Sequence, residues 1–152
     1  MKFRKLVFTC VLALACLACF SCVSNGDGGD DNDDLLLPNF VKESCSGCPT
    51  DEKIMAGSTV TGYRFYSYIK NTGAAGKVSM SIGAGNRTAS KEFSVTAGTS
   101  YVFQSTVTVT AKSSASFTYL AKFPGTPGYT DTHVVNGYDC TGGPSNLQMN
   151  PR

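Results

Sequence analysis

The chain has no tryptophan and one histidine, and charged residues fill only 16% of its 152 positions. With one imidazole, His133, general-base chemistry has a single place to reside. No Gly-x-Ser-x-Gly elbow supplies a nucleophile to go with it. The lack of tryptophan argues against a dedicated carbohydrate-binding face. Paired carboxylates for glycoside hydrolysis are also missing, since Glu43, Asp51, Glu52, Glu92, Asp131 and Asp139 mostly fall in loops or on exposed faces. Gly83-Ala84-Gly85 precedes a strand pattern, which is the wrong setting for a phosphate cradle. The cations of the domain stand singly along the chain, without the cluster that would mark a nucleic-acid footprint. These absences leave no enzyme to assemble, and no cofactor is expected.

What is present begins with an address. Lys2, Arg4 and Lys5 make a cationic start, and the apolar run Leu6 to Phe20 follows. A bilayer span needs about 20 residues, so this run suits the core of a signal peptide better than an anchor. It ends in small residues and cysteines, Leu17-Ala18-Cys19 and Phe20-Ser21-Cys22. In these residues the chain resembles bacterial lipoprotein precursors, in which a small residue precedes the cysteine that is lipidated and becomes the new N-terminus. The resemblance implies a signal peptide over residues 1–21 and acylation of Cys22, with Cys19 as the rival position. Residues 22–34 read as an acidic, Gly/Asp/Asn-rich tether that cannot bury enough surface to order itself. An acidic run behind a lipidated cysteine also resembles the surface-export signal of some Bacteroidetes lipoproteins. The implied place is the outer membrane, lipid-anchored and facing outward.

Residues 35–152 are enough for one domain. Leu35 to Val41, interrupted by Pro38, suggests a first edge strand or a segment lying against the core, and the segment from Cys45 to Lys53 reads as a loop. From Thr59 onward apolar residues alternate with polar ones, the period of half-buried strands. Thr61, Tyr63, Phe65, Ser67 and Ile69 share one face. Val78, Met80 and Ile82 share another, as do Ala89, Lys91, Phe93 and Val95. Thr99–Thr110 and Ala115–Phe123 read as two separate strands, with Tyr101, Phe103, Val107, Val109, Phe117, Tyr119 and Ala121 inward. Tyr129–Val135 offers the last strand, and Asn71-Thr72-Gly73 a turn. The expectation is an all-β, antiparallel sandwich of about seven strands. The order from Thr59 to Thr110 resembles small extracytoplasmic Ig-like domains of bacteria, loosely the FxLYD type. That likeness implies an Ig-like fold and carries no site.

Outside the cytoplasm, Cys45, Cys48 and Cys140 are disulfide candidates. Either Cys140 pairs with Cys45 or Cys48 and closes a long loop, or Cys45 and Cys48 close a short one and Cys140 stays free. A redox Cys-x-x-Cys, or a zinc set of the three cysteines with His133, forms the alternative function class. Haem attachment is excluded, because Pro49 stands where the histidine must be. Asp131 and His133 share a strand face, but a surface histidine is the ordinary explanation. The strongest binding feature is the face of Arg64, Tyr66, Tyr68 and Lys70, a platform for a protein or glycan partner. The chain is thus expected to be a lipid-anchored surface lipoprotein acting as a non-catalytic binding, adhesion or structural module.

Overall fold

A computed structural model describes residues 37–152. The expected signal peptide, Cys22 and the tether lie outside the described residues. Among the described residues there is no helix, so none is long and apolar enough to cross a membrane. Eight antiparallel strands follow one another: β1 (Phe40–Lys42), β2 (Glu52–Ala56), β3 (Thr59–Asn71), β4 (Gly76–Ala84), β5 (Arg87–Val95), β6 (Ser100–Phe123), β7 (Tyr129–Cys140) and β8 (Ser145–Pro151).

Period-two alternation is what drives the chain into strands, because one face of each can then be buried. In β3 the buried positions include Phe65, Ser67 and Ile69, and in β4 they include Val78, Met80 and Ile82. Both sets are the inward faces expected from the sequence. In β6 the odd-numbered residues are buried from Tyr101 to Val109 and again from Phe117 to Phe123.

The two strands expected over Thr99–Phe123 are one continuous strand. Its first half pairs with β3 and β8, and its second half with β4 and β7. Between the halves, Thr110–Ser114 are exposed and the register with β7 shifts, so the strand bends there and passes from one sheet to the other. Lys112-Ser113-Ser114 looks like a turn in sequence but is a polar corner. One sheet therefore holds β3, the first half of β6 and β8, with β1 and β2 on the far side of β3. The other runs β5-β4-β6-β7.

The sheets meet through aromatic rings. Phe65 of the first stacks on Tyr119 of the second with centroids 4.0 Å apart, and Phe103 meets Phe123 edge-on at 5.5 Å. The Tyr119 hydroxyl shares a 2.6 Å hydrogen bond with buried Ser105, and burial pushes that phenol far up from its ordinary pKa. Fully buried polar groups need partners of this kind.

Three further expectations are corrected. Asn71 is not a turn residue but the buried end of β3. Its Oδ1 accepts from the backbone N–H of Asn39 and Gly73, and its Nδ2 donates to the carbonyls of Ala74 and Thr96. Gly73 beside it lies so close to the Leu37 carbonyl that a Cβ would collide with backbone. Tyr129–Val135 extends to Cys140, and an eighth strand follows it. β8 gave no signal because its sequence is polar and only Leu147 is buried. Finally, the presumed loop Cys45–Lys53 ends by entering β2 at Glu52.

Candidate functional site

β1 and β2 both pair with the same edge of β3, but not along all of it. β1 covers Ile69–Asn71 and β2 covers Thr59–Arg64, so residues 65–68 have no strand beside them there. The strap of residues 43–51 fills the gap. Pro49 lacks a donor and Cys45–Cys48 closes a tight loop, so the strap cannot continue as a strand. It caps the open backbone instead. The Tyr68 carbonyl accepts from Glu43 N–H at 2.9 Å, and Tyr66 N–H donates to Asp51 Oδ1 at 3.0 Å.

Between strap and sheets lies a cavity of about 450 Å³, whose lining includes Tyr66, Tyr68, Tyr129, Asp51, Asp131 and His133. Tyr129, Asp131 and His133 alternate along the inner face of β7, where His133 pairs in register with Tyr119. His133 sits between two carboxylates. Its Nδ1 is 2.5 Å from Asp51 Oδ2, and its Nε2 is 3.2 Å from Asp131 Oδ2. The Nε2 contact is an ion pair without good hydrogen-bond alignment. Asp131 Oδ1 also accepts from the Tyr129 hydroxyl at 3.0 Å.

The electrostatics follow from this arrangement. The neighbouring carboxylates, Asp131 first and then Asp51, raise the His133 imidazole to about 9, against the opposing pull of burial. Burial works to raise the Asp131 carboxyl, but His133, Ser67 and Tyr129 outweigh it and lower it to about 2. Burial, then the Asp131 charge, pushes the Tyr129 phenol up to about 12. His133 is therefore an imidazolium at neutral pH. Each of its nitrogens lies beside a carboxylate. The expectation of a plain surface histidine is corrected: its side chain is only 23% exposed and ion-paired on both sides. The Asp131-x-His133 spacing was visible in sequence, but Asp51 gave no signal because it arrives from the distant strap.

The expected face of Arg64, Tyr66, Tyr68 and Lys70 does lie on the side of β3 opposite Phe65, but its members divide. Tyr66 and Tyr68 line the cavity, with their hydroxyls donating to Glu52 and to the Pro49 carbonyl. Arg64 is paired with Glu52, and Lys70 projects into solvent. The tyrosines form a wall and not an open platform.

The cysteines also separate. Cys45 is bonded to Cys48, which overturns a long-range bridge to Cys140. Cys140 is a free, half-buried thiol at the end of β7, facing the carbonyls of Ala84 and Gly142. Burial raises its pKa, which lowers its reactivity. The alternative set of three cysteines and His133 is not assembled, and no group of three His, Cys, Asp or Glu that could hold a metal ion exists among the described residues. The short bridge closes little chain, so replacing both its cysteines by serine is expected to cost about 2 kcal/mol in the chain-entropy model. Urea denaturation of the Cys45→Ser/Cys48→Ser protein measures that, and a loss above about 4 kcal/mol would indicate the long-range bridge instead.

Compared with known protein families, curated proteins and solved structures, the chain matches none.

Proposed function

We propose that this protein is a bacterial surface lipoprotein, anchored in the outer membrane through Cys22, whose β-domain is a non-catalytic binding module. The reading of place rests on the cationic, apolar and cysteine-ended leader. The reading of task rests on one observation: an aromatic-walled cavity contains the chain's only imidazole, set between the carboxylates of Asp51 and Asp131. Such a site offers a ligand aromatic walls and fixed charges. Tyr66 and Tyr68 belong to its wall, while Arg64 and Lys70 flank it and are left to a protein or glycan partner at the cell surface.

The anchor is tested in bacteria fed radiolabelled palmitate. The wild-type chain is expected to take up label and to fractionate with the membrane. Cys22→Ala is expected to lose the label, because the thiol that carries the acyl chains is gone. Label that persists on Cys22→Ala would move the anchor to Cys19. An unlabelled, soluble wild-type chain would end the lipoprotein reading.

A further inference from the structure

The cavity's directional hydrogen-bonding capacity is largely spent on the protein itself. Asp131 Oδ1 accepts from the Tyr129 hydroxyl and Asp51 Oδ1 from Tyr66 N–H, while the other oxygen of each is set against the His133 ring as an ion pair. The hydroxyl protons of Tyr66 and Tyr68 go to Glu52 and Pro49. A sugar, which needs many free donors and acceptors in register, would find few. What remains is the tyrosine ring surface left uncovered by Phe123, which stacks on Tyr129, and by Arg152, which lies over Tyr68, together with the charge of two carboxylates set against one imidazolium. That combination attracts an organic cation.

The protein already shows how a cation is held there. The Arg152 guanidinium lies over the Tyr68 ring at 5.1 Å, is paired with Glu43, and donates to Cys48 Sγ at 3.4 Å. Glu43, Cys48 and Tyr68 all line the same cavity. The remaining charged lining residue, Lys42, is exposed at the rim.

We infer that the cavity is a recognition site for a lysine or arginine side chain of a partner polypeptide, received against Tyr129 and Asp131, with Arg152 occupying the neighbouring Tyr68–Glu43 wall in cis. The inference rests on the binding-module reading and gives it a ligand class. A partner with a basic segment could place one side chain beside Tyr129. It could place a second on Tyr68 only by displacing Arg152.

The test is NMR titration of the purified full-length protein in detergent micelles, following the His133 ring signals. The probes are N-acetyl-argininamide and N-acetyl-lysinamide, with N-acetyl-glutaminamide and glucose as neutral controls. Both cationic probes are expected to saturate in the millimolar range, to bind about tenfold more tightly than the neutral ones, and to weaken with added salt. Arg152→Ala frees the Tyr68 wall and should tighten argininamide about fivefold, the worth of one exposed cation–π contact. An Arg152 that merely pins the strap would instead leave affinity unchanged or lower it, and that result overturns the cis-occupancy. Equal or stronger binding of glucose overturns the cationic ligand class while the binding module stands. No saturable response to any probe removes the binding module as well.

Discussion

Phe65→Ala is expected to lower stability by about 3–5 kcal/mol, the range for deleting a well-packed core aromatic. Phe65 is 1% exposed, and its ring stacks on Tyr119 at an interplanar angle of 11°. It also lies 6.0 Å from Tyr63 and 5.4 Å from His133, so it joins the two sheets directly beneath the cavity. Neighbouring strands cannot collapse into the space, because their registers are set by pairing on both sides of β6. The thermal midpoint should fall by about 10–20 °C, read by circular dichroism. A fall of less than about 5 °C would mean that the sheets are not held together by this stack.

Asn71→Ala is expected to rival it, at about 3–5 kcal/mol, for a different reason. No large volume is lost. Instead two backbone N–H groups and two carbonyls, which the amide serves from a fully buried position, lose their partner at once. Each orphaned buried group costs about 1–3 kcal/mol, and water admitted near the turn recovers part of that sum. Asn71→Asp separates this from packing, since the side chain keeps its shape but exchanges a double donor for an acceptor facing two carbonyls. It should destabilise by a comparable amount, less at acid pH where the carboxyl regains a proton to donate. Chemical denaturation of both variants is the measurement. A tolerated aspartate would show that shape, and not hydrogen bonding, fixes Asn71.

How far these features could be read from residues alone divides along one physical line. Alternation reports which side of a strand is wet, so the buried faces of β3, β4 and both halves of β6 were legible. It does not report what a strand lies beside. The continuity of β6 through Lys112-Ser113-Ser114 was hidden because an exposed corner and an exposed turn have the same composition. β8 was hidden because a polar strand covered on one side by β6 carries a single buried apolar residue, Leu147. Asn71 looked like turn chemistry because the same amide that favours turns can also satisfy several buried backbone groups.

The candidate site was half legible for the same reason. Tyr66, Tyr68, Asp131 and His133 could be placed on strand faces, but their convergence required the strap. That strap exists because β1 and β2 leave residues 65–68 of β3 uncovered. The meeting of Asp51 with His133 is a long-range contact with no local pattern. The cysteine spacing allowed both bridges, and only the placement of Cys140 beside Ala84 separates them.

The strap's grip has a pH dependence of definite sign. His133 is raised from 6.5 to about 9, so its contribution is complete below 6.5 and disappears as pH climbs through 9. Asp131 is lowered from 3.8 to about 2, so its contribution is complete above 3.8 and is lost as pH falls through 2. His133 and Asp131 together therefore stabilise the fold fully between about pH 4 and 6.5, and progressively less toward alkaline pH.

The most direct measurement is the NMR titration of His133 itself, whose ring signals are unambiguous because the chain has no other histidine. A midpoint near 9, falling toward the ordinary histidine value in Asp131→Asn, is the outcome required of an imidazolium clamped between two carboxylates, as the proposed binding site has it. A midpoint at or below 6.5 in the wild-type protein would leave a neutral imidazole free to act as a base, and would contradict that claim.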